Sequence, residues 1–146
     1  MDFHESHSEL ETFELGYRMG CEAKKGEIYT LNGELGVGKT VFTKGFAKGL
    51  GIEENVSSPT FTILKIYESG RLPLYHMDVY RIGDVYEMDE IGYEDYFYGE
   101  GITLIEWAEL IAEILPVGYT DITIEKEPEK GFDYRRITVK HTGSAE

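Results

Sequence analysis

Eight consecutive residues constrain this chain more than any others. Gly33-Glu34-Leu35-Gly36-Val37-Gly38-Lys39-Thr40 matches the pattern G-x-x-x-x-G-K-[ST] in full. With glycine near 7% of residues, such a match arises by accident in roughly one chain of this length in a few hundred. Its flanks reduce that further. Glu27-Ile28-Tyr29-Thr30-Leu31-Asn32 has the β-branched and aromatic content of a short buried strand. Thr40 to Leu50 offers Val41, Phe42, Phe46, Ala47 and Leu50 for a buried face, with Gly51 as a stop, which predicts a helix starting near Lys39. Between a strand and a helix, a glycine-rich turn lets successive backbone N–H groups point inward at phosphate oxygens, and the helix start adds the positive end of its dipole. Lys39 would reach the β- and γ-phosphates, and Thr40 would offer its hydroxyl oxygen to magnesium, which takes hard oxygen ligands and keeps several waters.

The remaining pattern places this loop in an α/β fold. Residues 8 to 25 carry apolar side chains at Leu10, Phe13, Leu15, Tyr17 and Met19, which predicts an amphipathic helix with Ser8 as N-cap and Gly26 closing it. Phe61 to Tyr67 and Leu72 to Tyr80 read as strands joined through Glu68-Ser69-Gly70-Arg71, a candidate hairpin. Asp84 to Tyr98 reads as one or two short helices, and Gly101-Ile102-Thr103-Leu104-Ile105-Glu106 is the clearest buried strand. Glu109 to Leu115 predicts a short helix halted by Pro116; Asp121 to Glu125 and Arg135 to His141 predict strands joined by Pro128-Glu129-Lys130-Gly131. At 146 residues, one nucleotide-binding domain over 1–146 is expected. Its architecture should be a three-layer sandwich of the P-loop NTPase kind, with a mainly parallel central sheet and short antiparallel additions.

A phosphate cradle alone binds nucleotide; hydrolysis or transfer also needs a carboxylate to hold the metal's water shell or orient an attacking water. Glu106, ending an apolar strand, has the form such residues take in P-loop proteins, against the plain alternative of an ordinary strand-end glutamate. His76 and Asp78, two apart on a strand, face one side and could form a coupled pair near the phosphates. A two-ligand metal site and a structural aspartate are the competing readings. Ser57, Ser58 and Thr60 surround Pro59 in a loop that suits a segment sensing the γ-phosphate, or an ordinary turn. Trp107, the single tryptophan, follows Glu106 directly; core packing and a partner-contacting anchor are its two readings.

Composition narrows the partners. Fourteen Lys plus Arg against 28 Asp plus Glu give a formal net charge of −14, which argues against gripping nucleic acid, since phosphate backbones are neutralised by Lys and Arg. The acidic surface suits a protein partner with a basic face, or serves solubility alone. Without a bilayer-length apolar run or a signal-peptide pattern at the start, a cytoplasmic location with no membrane association is expected. The single cysteine, Cys21, excludes an internal disulfide and a cysteine-rich zinc site. No Asn-Lys-x-Asp sequence occurs to read guanine, so ATP is favoured. Little chain is left for the acceptor pocket and lid of a small-molecule kinase. That kinase remains the alternative to a partner-controlled ATPase, and a nucleotide-sensing binding module is a third reading.

Together the motifs resemble those of the TsaE (YjeE) family, small bacterial P-loop ATPases that support threonylcarbamoyladenosine modification of tRNA. They are Gly33 to Thr40, Ser58-Pro59-Thr60-Phe61-Thr62, His76-Met77-Asp78-Val79-Tyr80-Arg81 and Leu104-Ile105-Glu106-Trp107, in the family's order and at similar spacing. The resemblance is continuous from about Ser8 to Pro116, with Val37 where alanine is usual. It implies an ATP- and magnesium-dependent hydrolase acting with the TsaD and TsaB proteins, with tRNA contacted only through those partners. By the same resemblance, Gly33, Glu34, Leu35, Gly36, Val37, Gly38, Lys39 and Thr40 hold phosphates, Thr40 and Glu106 serve magnesium, and Lys39, Asp78 and Glu106 are the catalytic set. Thr60 and Trp107 lie at the nucleotide, while Glu9 and Thr12 line the adenine pocket.

Overall fold

Strand β5, Ile102–Glu106, is buried along its whole length, and β2, Ile28–Asn32, is buried at all but its last residue. Residues hidden on both faces belong in the middle of a sheet with helices above and below, and the two strands lie side by side and parallel there. The computed structural model describes residues 2–34, 36–57 and 63–142. Within them, β1 (Asp2–Ser6), β2, β3 (Leu64–Tyr67), β4 (Leu74–Asp78), β5, β6 (Thr120–Lys126) and β7 (Arg135–His141) form one seven-stranded sheet in the order β1-β7-β6-β2-β5-β4-β3. The central strands β6, β2, β5 and β4 are mutually parallel. The flanks are antiparallel: β3 joins β4 as the expected hairpin, and β7 joins β6 and β1. Short connections can only return the chain antiparallel, whereas the parallel centre needs crossovers.

One sheet face carries α1 (Glu9–Glu22) and α2 (Lys39–Gly49). Ser8 caps α1 as its position predicts, its Oγ accepting from the Glu11 N–H at 3.1 Å, while the Glu11 carboxylate accepts from the His7 N–H at 2.8 Å. The two helices touch backbone to backbone. A Cβ at Gly20 would run into the Phe46 carbonyl oxygen, and one at Gly45 into that of Phe13. Glycines inside helices cost about 1 kcal/mol each in propensity, and this close approach accounts for their presence. Helix α1 stops earlier than residue 25 because Arg71, far along the chain, donates to the carbonyls of Gly20, Cys21 and Ala23.

The opposite face carries α3 (Glu87–Glu90), α4 (Tyr93–Phe97) and a 3-10 helix over Ala108–Ile114. Met88, Phe97, Ala108 and Ile111 pack there against Met77, Val79 and Ile105, giving the third layer. The short helix expected over Glu109 to Leu115 is present as a 3-10 coil broken at Ile111, entered from a left-handed residue, Trp107. Strand β1 was not expected from Asp2-Phe3-His4-Glu5-Ser6, which shows no alternation of apolar residues; it exists by pairing with β7. No helix among the described residues is long and apolar enough to cross a membrane.

Candidate functional site

The loop leaves the C-terminal end of β2 and enters α2 at Lys39. Gly33 and Gly38 take φ of +151° and +116°, which side chains rarely adopt, and a Cβ at Gly33 would lie 2.7 Å from both the Ile124 carbonyl oxygen and the Val37 side chain. Val37 is buried, and its carbonyl accepts from Arg135 Nε at 2.7 Å. Arg135 also donates from Nη1 to the carbonyls of Phe132 and Tyr134. The loop is thus tied to the far end of the chain. Glu34, Gly36 and Thr40 lie at its exposed rim. Leu35 and the stretch Ser58-Pro59-Thr60-Phe61-Thr62, Thr60 included, lie outside the described residues.

Beneath the loop sit the charged groups. Glu106 ends β5 and is 5% exposed; Lys39 opens α2 and is 8% exposed. Lys39 Nζ lies 3.6 Å from Glu106 Oε1, and His76 Nε2 lies 2.8 Å from Glu106 Oε2. Burial pushes the Glu106 carboxyl upward, but the His76 hydrogen bond and charge, with Lys39, outweigh it and hold the group below the usual carboxylate range. Glu106 is therefore an anion in a nearly closed setting. Lys39 Nζ also stands over the Trp107 ring, 5.3 Å from its centroid.

Trp107 packs against the core cluster of the third layer, as its core reading expects. It is half-buried at φ 65°, the one described non-glycine residue with positive φ, a conformation costing roughly 1–2 kcal/mol. Strained backbone of this kind concentrates at functional sites. Here it turns the chain sharply after Glu106 and lays the indole between Lys39 and Tyr80, whose ring centroid is 4.8 Å away.

Asp78 ends β4 in register with Glu106 on the neighbouring parallel strand. Its Oδ1 accepts from the Tyr80 N–H at 3.0 Å. Burial raises its carboxyl above the usual range, beyond what the Tyr80 N–H pulls back, and the Glu106 charge adds to the rise. The expected His76–Asp78 pair is replaced by His76–Glu106: the imidazole spans to the next strand, because parallel pairing sets β4 beside β5.

A pocket of about 450 Å³ opens on the other side of the loop. Glu9 and Thr12 of α1 line it with Gly36, Val37, Gly38 and Val41, and so do Lys126, Phe132, Asp133 and Arg135 from the end of the chain. The Thr12 hydroxyl is held at 2.7 Å by Ser6, which is buried at the end of β1. Reading the sequence missed this C-terminal wall. An exposed Phe132, 90% accessible, was the available signal, since a large aromatic left in water wants a ligand or a partner.

Against known proteins, a family model described as threonylcarbamoyl adenosine biosynthesis protein TsaE matches residues 6–137. The chain belongs to the TsaE family. The tRNA threonylcarbamoyladenosine biosynthesis protein TsaE of Bacillus subtilis (strain 168) is 53% identical over 122 residues, covering 84% of this chain and 74% of the relative. That of Treponema pallidum (strain Nichols) is 46% identical over 111 residues, 76% of this chain and 82% of the relative. The crystal structure of Bacillus subtilis YdiB superposes with a TM-score of 0.83 at 44% identity, covering 97% of this chain and 86% of the other. The match spans α1, the loop, the charged cluster and strands β2 to β6, so the TsaE assignment rests on most of the sheet and not on the octapeptide alone.

Proposed function

We propose that this TsaE-family chain binds and hydrolyses magnesium-ATP in support of threonylcarbamoyladenosine modification of tRNA, acting on the TsaD and TsaB proteins and meeting tRNA only through them. The observation that carries the ATPase reading is the cluster of Lys39, opening α2, with Glu106 and Asp78, which end the adjacent parallel strands β5 and β4. In open α/β sheets that is where ligands bind. On this reading the loop N–H groups and Lys39 take the phosphates, and the base lies in the pocket bounded by Thr12 and Phe132.

The donor set fits magnesium. Glu106 is ionised and buried, and Thr40 opens the first turn of α2, so the protein offers one or two hard oxygens, as magnesium sites on nucleotides require. Magnesium held there by Thr40 and Glu106 would supply positive charge to the phosphates. The two carboxyls are pushed in opposite directions, Glu106 down and Asp78 up. Such divergence separates roles: Glu106 serves the cation, and Asp78, the more basic, orients the attacking water. The net charge of −14 suits a protein partner and not direct tRNA binding.

The test is phosphate release from magnesium-ATP by the pure protein, alone and then with TsaD, TsaB and tRNA. Stimulation by the partners, lost in Glu106→Ala and Asp78→Ala with ATP binding spared, is the expected result, whereas Lys39→Ala weakens binding itself. ATP binding without any stimulated release overturns the partner-gated ATPase, and phosphate transfer to a metabolite without partners would move the chain to the kinases.

A further inference from the structure

We propose that His76 is the positioning residue of the Glu106 carboxylate, fixing which oxygen faces the cation once Lys39 has turned to the phosphates; this rests on the nucleotide reading above. Among the described residues, the Glu106 carboxylate has two partners of different kinds. Lys39 is long and flexible, and its ammonium is the group that a bound nucleotide claims. His76 is a short, rigid ring, 1% exposed, on the neighbouring strand, where it stands in register with the fully buried Leu104. When the ammonium moves, the imidazole is what remains to hold the carboxylate.

The geometry is specific to that task. His76 Nε2 donates to Glu106 Oε2 at 2.8 Å, so Oε1 is the oxygen left on the Lys39 side. A histidine buried only to brace a core uses both nitrogens, since an unpaired buried polar atom costs about 1–3 kcal/mol. Among the described residues, His76 Nδ1 has no hydrogen-bond partner. The polar contact that the described residues give this buried ring is therefore the one from Nε2 to Glu106. Partners of this type behind a metal-binding carboxylate typically account for 10–100-fold in metal affinity.

The experiment uses the whole chain and ADP, so that turnover does not enter. Calorimetry gives the ADP Kd with magnesium and with EDTA for the wild type, His76→Leu, His76→Asn and His76→Gln. Leucine removes the donor, asparagine is too short to replace Nε2, and glutamine carries an amide nitrogen near the Nε2 position. The expected result is a magnesium enhancement of ADP binding that falls by about tenfold in the Leu and Asn variants. Affinity in EDTA stays within about twofold, and Gln recovers most of the loss. In a Glu106→Gln background, His76→Leu adds nothing further.

Unchanged magnesium enhancement in folded His76→Leu or His76→Asn overturns the proposal, as does equal loss with and without magnesium. Failure of Gln to recover what Asn loses does so too. Should the leucine variant not fold, the comparison of Asn with Gln decides by itself. A wild type that binds no ADP, or binds it without regard to magnesium, removes the nucleotide or magnesium reading itself and the proposal with it.

Discussion

Replacing Glu106 by glutamine keeps the side chain's shape and removes its charge. In the wild type the carboxylate accepts from His76 at 2.8 Å and faces Lys39 at 3.6 Å, with 5% of the residue exposed. The amide still offers His76 an oxygen, so the loss is the difference between a charge-assisted and a neutral hydrogen bond. That difference is about 1–2 kcal/mol, and at 2–4 °C per kcal/mol it lowers the melting temperature by roughly 2–8 °C. The sign with pH follows from linkage. Because the folded state holds the Glu106 carboxyl below its ordinary range, its contribution is present above the unfolded value of about 4.3 and is lost as pH falls through the folded one. A protonated glutamate and a glutamine are nearly the same group, and both leave Lys39 without its anion. The gap between the two proteins should therefore be full at neutral pH, begin to shrink below about pH 4.3, and close only once the pH has fallen below the folded value. Thermal unfolding of both, followed across that range, measures it. Equal melting temperatures at neutral pH refute the reasoning, and so does a gap that persists undiminished in acid.

Other expectations are simpler to check. Gly20→Ala drives a methyl group into the Phe46 carbonyl oxygen and should cost about 1–3 kcal/mol, read as a lower urea midpoint at unchanged m-value. Ser8→Ala removes the acceptor for the Glu11 N–H and should cost about 1 kcal/mol in the same assay. Phe132→Ala, at a residue 90% exposed, should leave stability within about 0.5 kcal/mol. Its ATP and ADP affinities should fall about tenfold, the scale of one lost base-stacking contact; calorimetry separates the two effects.

Much of the site could be read before any coordinates because its parts are contiguous. A strand, a glycine turn and a helix start lie within Glu27 to Leu50, and the apolar pattern and glycine spacing of such segments are recorded in the order of side chains alone. The apolar run ending on Glu106 was legible for the same reason, as was Ser8 at the start of α1. Partnerships across the sheet were not. His76 meets Glu106 across 30 residues, and Arg135 meets the loop at Val37 across 98. No local period records such meetings; they follow from strand order and register. Two positions apart on β4 suggested His76 with Asp78, and only the parallel neighbour β5 turned the imidazole to Glu106 instead. The end of α1 at Glu22, the pairing of β1 and the Phe132 wall of the pocket were settled in the same way. Each depends on a distant segment supplying the hydrogen bonds or the apolar cover that the local sequence lacks.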